Sequence, residues 1–162
     1  LDPRNKDLGG RLIINLEKLY LSIKELGLKS AENKEYYVQS HKLGIPQMDN
    51  DKLQNKIFGI ECNFDELNAI DFKKGCYVGQ ENTARIKLRN KLLKRLLPVQ
   101  IIDGKINIDD NISSDDENIG KILINNDYPF GLIKIKEKNL DFSKKYKCVS
   151  GSVRFIKPFW MN

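Results

Sequence analysis

The residues best placed to do chemistry lie in the stretch Lys73-Lys74-Gly75-Cys76-Tyr77-Val78-Gly79-Gln80-Glu81. A cysteine sits between two glycines, two lysines precede it, and an amide and a carboxylate follow it. Gly75 and Gly79 permit backbone angles and close approaches that other residues forbid. A helix that begins near Gly79 would put Cys76 just before its positive end, and Lys73 and Lys74 add positive charge. Both effects favour thiolate over thiol, which makes Cys76 a candidate reactive or metal-bridging sulfur with a pKa below the ordinary value of about 8.5. Gln80 and Glu81 could then orient a ligand or hold the loop together. The same residues also suit a glycine-rich turn with an inert, half-buried cysteine, and the stretch by itself leaves both readings open.

Other chemistries find less support. The single histidine, His41, excludes a His-rich zinc site and reads as a helix-surface residue. Neither a phosphate-binding G-x-x-x-x-G-K-[ST] loop nor a G-x-G-x-x-G fingerprint occurs. The three cysteines at 62, 76 and 148 form no even framework and no CxxC pair. They read as reduced thiols in a cytoplasmic setting.

The net charge of +6 is unevenly spread over the 162 residues. Arg85, Lys87, Arg89, Lys91, Lys94 and Arg95 form a run without an acid. Asp103, Asp109, Asp110, Asp115, Asp116 and Glu117 follow with Lys105 alone among them. A basic barrel that binds RNA is one reading of the first run, but so acidic a neighbour argues against a nucleic-acid partner. No apolar run approaches the roughly 20 residues that span a bilayer, so no membrane partner is expected. The opening residues carry no basic-then-apolar signal and no initiator Met, as expected for a piece of a longer chain.

The Asp2-Pro3-Arg4 turn is expected to lead into a strand over residues 7–16. Ser30 reads as the N-cap of a helix that Gly44-Ile45-Pro46 ends. Asn63 reads as the cap of a short helix carrying Phe64, Leu67 and Ile70, and a further helix is expected after Gly79. From Leu92 on, short β-branched or alternating runs separated by Gly, Asn, Asp and Pro predict a small antiparallel barrel. Cys148 falls in one of its strands, and Phe159 and Trp160 are expected to seal its core. The fold class is therefore α+β, with an α+β segment over residues 1–90 and an all-β module over 91–162.

Lys74 to Glu81 resembles the signature of the YgfZ-type folate-binding proteins, which act in iron–sulfur cluster assembly and repair. They are relatives of the aminomethyltransferase of the glycine cleavage system. The segment from Asp2 to Arg11 looks like the family's Asp-Pro-Arg…Leu-Gly-x-Arg, and residues 36–46 look like its helix ending in Gly-Ile/Val-Pro. Residues 60–85, with Glu61, Leu67, Phe72 and Arg85, follow the family almost throughout, and 119–137 resembles strands of its C-terminal barrel.

The resemblance implies a partial aminomethyltransferase-like folate-binding segment followed by the barrel, with tetrahydrofolate as cofactor. It implies iron–sulfur assembly proteins or client enzymes as partners and an accessory role rather than an enzymatic one. A folate-dependent aminomethyl transferase is the competing activity. Cys76 would be the acting residue, and Lys74, Gly75, Tyr77, Gly79, Gln80, Glu81, Arg85 and Glu61 would bind the ligand. Where the family carries Arg four residues before the glycine of Gly-Ile-Pro, this chain has Ser40. The family's N-terminal portion, which builds much of the folate cavity, lies outside this sequence.

Overall fold

Residues 96–99, 122–124 and 130–133 are nearly unbroken apolar runs. Such runs suit strands covered on both faces, since alternate side chains then all need apolar surroundings. A computed structural model, which describes residues 1–75, 81–89, 92–135 and 140–161, shows this arrangement. Six antiparallel strands close a barrel: β1 (Lys94–Lys105), β2 (Asn111–Ser114), β3 (Glu117–Ile124), β4 (Phe130–Lys134), β5 (Tyr146–Lys147) and β6 (Ser150–Phe155). Their order around the barrel is β1-β4-β3-β2-β5-β6.

Strand β1 closes the ring because its two halves pair with different neighbours. Lys94 to Pro98 pair with β4 and Val99 to Lys105 with β6. Pro98, which has no N–H to donate, sits at the changeover. Beyond it, Gly104 at φ +68° lies opposite Gly151, and a Cβ on Gly104 would stand 2.2 Å from the Ser150 carbonyl oxygen. Only glycine fits there. Strand β2 was not expected inside the acidic stretch. It turns back into β3 through Asp115 and Asp116, both at positive φ (50° and 64°), as a two-residue hairpin turn requires.

Leu97, Val99, Ile112, Ile122, Ile133, Val153 and Phe155 fill the barrel. On its outer side Leu96, Leu123, Ile124, Phe130 and Leu132 pack with Leu53 and Cys62. The first half of the chain thus covers one face of the barrel.

That first half departs from the sequence expectation in several places. Residues 9–15 form no strand, and a helix, α1 (Leu16–Glu25), follows instead. The Asn15 side chain accepts from Glu17 N at its start, and Leu16, Leu19, Tyr20 and Ile23 recur at helical spacing. Helix α2 (Asn33–Lys42) is entered at Glu32 without a side-chain cap, so Ser30 does not cap it. It ends as expected at Gly44, whose N–H bonds the His41 carbonyl while Ile45 N bonds that of Ser40. This pairing, with Gly44 at φ +73°, is a Schellman stop.

Residues 59–68 make consecutive turns rather than a helix. Asn63 and Asn68 both take left-handed conformations (φ 63° and 55°), which a right-handed helix cannot absorb. Helix α3 (Glu81–Leu88) follows the cysteine motif, as expected. Among the described residues no helix is long and apolar enough to cross a membrane.

Candidate functional site

Cys76, Tyr77, Gly79 and Gln80 lie outside the described residues. What the structure places is the frame on either side of them. Lys74 and Gly75 are exposed at the end of the approach. Among the described residues, a Cβ on Gly75 would meet nothing within 4 Å. Glu81 opens α3, where a carboxylate complements the helix dipole, and Arg85 stands exposed one turn later.

Helix α3 and the approach are fastened to the same turns. Lys87 pairs with Asp65 and lies 5.3 Å from the centre of the Phe72 ring. Lys73 N donates to the Asp71 carboxylate at 2.8 Å.

The turns themselves are clamped to the barrel. Asn63, fully buried, donates from Nδ2 to the Leu96 carbonyl at 2.8 Å and accepts on Oδ1 from Arg95 at 2.9 Å. Leu96 N in turn donates to the Glu61 carbonyl at 2.8 Å. Arg95 also pairs with Glu66 and lies over the Trp160 ring. Lys87 and Arg95, two members of the basic run, are therefore spent on internal contacts. Glu61, expected to bind ligand, accepts from Phe58 N at 3.0 Å and closes its own turn.

Trp160 does not seal the barrel. Its Nε1 donates to the Leu43 carbonyl at 2.8 Å and its ring packs at Gly44, while Phe159 is exposed. His41 is likewise no surface residue. It is buried edge-on against Phe130, and its Nε2 donates to the Pro129 carbonyl at 2.9 Å, which fixes the proton on Nε2. Burial lowers its pKa, against the opposing effect of that hydrogen bond. Ser40 is buried too, with its hydroxyl donating to the Tyr37 carbonyl.

One charged cluster was not singled out by residue chemistry. Asp2 is buried and receives Nε and Nη2 of Arg4 (3.1 and 3.0 Å), the Arg4 backbone N–H and Nε of Arg11 at 2.8 Å. The Arg4 hydrogen bond, outweighing burial, holds its carboxyl well below the usual carboxylate range. Arg4 continues to the Tyr36 hydroxyl, and Asn68 donates to the Pro3 carbonyl at 3.2 Å. An acid followed by two arginines within the first eleven residues was the available signal.

The remaining thiols are quiet. Burial, then the charge of Glu61, pushes the Cys62 thiol up to about 11. Burial and Asp110 push Cys148 to about 11 as well. Cys148 lies between β5 and β6 rather than in a strand. Among the described residues, no group of three or more His, Cys, Asp or Glu side chains could hold a metal.

No family model matches the chain. Individual proteins do. It is 36% identical over 97 residues to the "Iron-sulfur cluster assembly factor IBA57 homolog, mitochondrial" of Neurospora crassa, covering 60% of this chain and 22% of that protein. The like-named protein of Dictyostelium discoideum is 36% identical over 100 residues, covering 61% and 24%. That of Aspergillus oryzae is 41% identical over 69 residues, covering 43% and 15%. The matched segment thus spans less than a quarter of each of these relatives. Their names overturn the expectation of a cytoplasmic location, because they are mitochondrial proteins. Reduced, unpaired cysteines report a reducing compartment and not which one. Over the matched segment the chain is a homologue of the iron–sulfur cluster assembly factors, as its resemblance predicted.

Proposed function

We propose that the full-length protein is an accessory factor in the assembly or repair of iron–sulfur enzymes and acts through the Cys76 thiol. The sequence relationship to iron–sulfur cluster assembly factors carries this reading. The structure lends support in one respect. With Cys62 and Cys148 both held protonated near neutral pH, Cys76 is the thiol left for thiolate chemistry. Its partners on this reading are assembly proteins or client enzymes.

Binding of tetrahydrofolate, an aminomethyltransferase-like character for residues 1–90 and a separate barrel module over 91–162 belong to the same proposal. They rest on the resemblance. The described residues do not by themselves make a folate site: Glu61 is turned into its own turn, and Lys74 and Gly75 face solvent. A strain lacking its endogenous assembly factor tests the reading. The full-length protein is expected to restore iron–sulfur enzyme activity, and failure to do so when expressed and folded contradicts it.

A further inference from the structure

Helix α3 turns one whole face outward. Glu81, Asn82, Arg85, Leu88 and Arg89 are all exposed and recur at helical spacing, whereas Thr83, Ala84 and Ile86 are half-buried and Lys87 reaches back to Asp65. Arg89 extends that face by one position, since its N–H still bonds the Arg85 carbonyl at 3.1 Å. Leu88, between the two arginines, is 86% exposed.

A single exposed leucine is ordinary, but here a second follows among further cations. Leu93 is 67% exposed, and Lys94 at the start of β1 stands opposite Lys134 on β4, both lysines exposed. Five residues of chain separate Arg89 from Lys94, a reach of at most about 18 Å. Like charges facing each other across two strands repel. Asp65 and Glu66, the acids that the fold brings to the basic run, are already paired with Lys87 and Arg95. Exposed cations interleaved with exposed leucines select a partner that is acidic and apolar at once, which is a protein surface. A nucleic acid offers phosphates but nothing for the leucines, and the α3 face carries no aromatic to stack on bases.

We propose that the outward face of α3, with Leu93 and Lys94 beyond it, docks a protein partner whose contact surface carries Asp and Glu around an apolar centre. Leu88 enters that centre, and Arg89 and Lys94 meet the carboxylates, arginine being favoured at such contacts. The partner is the assembly protein or client enzyme served by Cys76, five residues before α3 in the chain, so the inference rests on that reading.

The probe is a labelled helical peptide of about twenty residues with Leu on one face and Glu on its flanks, beside a Gln-for-Glu counterpart and a uridine RNA of about the same length. All three are titrated against the full-length protein. Arg85 is left intact, because the resemblance gives it to the folate ligand. The acidic peptide is expected to bind at least about fivefold more tightly than the Gln peptide, and to weaken about fivefold on Arg89→Glu and about threefold on Leu88→Gln. Lys29→Glu, an exposed reversal in the loop after α1, is expected to change it less than about twofold. RNA bound more tightly than the acidic peptide, equal losses at Arg89 and Lys29, or no loss with folded Leu88→Gln protein would overturn the inference. In a strain lacking its own assembly factor, Arg89→Glu is expected to restore at least about twofold less iron–sulfur enzyme activity than the parent at equal abundance. Full restoration by Arg89→Glu beside a working parent overturns the docking face alone, whereas failure of the folded parent overturns the iron–sulfur reading and the partner with it.

Discussion

Asn63 and Leu96 are joined by a buried hydrogen bond of 2.8 Å that ties the turns before the cysteine motif to the first barrel strand. The left-handed backbone at Asn63 (φ 63°) points its amide at the strand, and the same side chain accepts from Arg95. The motif is thus approached from a segment locked to the barrel rather than from a free loop.

Removing that amide strands the Leu96 carbonyl and takes a partner from Arg95. Asn63→Ala is expected to lower stability by about 2 to 3 kcal/mol, the usual cost of leaving buried polar groups unpaired. Urea unfolding checks this, and a loss below about 0.5 kcal/mol would show that the clamp contributes little.

Asp2 makes stability depend on pH in the acid range. Its folded pKa lies below its unfolded value of about 3.9, so its contribution is present above about pH 4 and is lost as pH falls further. Asp2→Asn is expected to be less stable at pH 7 and to lose less than the parent protein between pH 5 and pH 2. Parallel urea midpoints for the two proteins measure the difference, and identical pH profiles would contradict it.

His41 acts in a different window. Its folded pKa is lowered by burial, so the unfolded chain binds the proton more readily. Stability from this residue is present above about pH 6.5 and declines as pH falls from there toward the folded pKa. His41→Leu, which also gives up the bond to Pro129, is expected to flatten the profile between pH 6.5 and 5 while lowering stability at pH 7.5. The His41 ring proton shifts in a one-histidine protein follow the titration directly, and a midpoint at or above 6.5 would reject the account.

How much of this was legible in the sequence depends on the range of the interactions. The barrel was, because Leu96–Val99, Ile122–Ile124 and Phe130–Ile133 combine continuous apolar character with Gly, Asn and Asp punctuation. Strand β2 was hidden in the acidic stretch, where Ile112 is the one residue fully buried. Helix α1 was masked by the apolar run just before Asn15. Asn63 and His41 were misread because their partners lie 33 and 88 residues away, and local spacing carries no trace of such contacts. The cysteine motif stood out by residue type alone.

Thiol reactivity is expected to separate Cys76 from its companions. With pKa values pushed up to about 11, Cys62 and Cys148 expose roughly a thousandth of their population as thiolate at pH 8. Iodoacetamide at that pH is expected to label Cys76 first, with a rate that levels off at lower pH than the other two. Mass mapping of the labelled peptides decides it, and earlier labelling of Cys62 or Cys148 would remove the case for an activated Cys76.

The most direct measurement is the activity of iron–sulfur enzymes in a strain lacking its own assembly factor, supplied with full-length protein carrying either Cys76 or Cys76→Ala at equal abundance. The account expects the parent protein to restore activity and the variant to leave it near that of the empty strain. Full restoration by Cys76→Ala would contradict it.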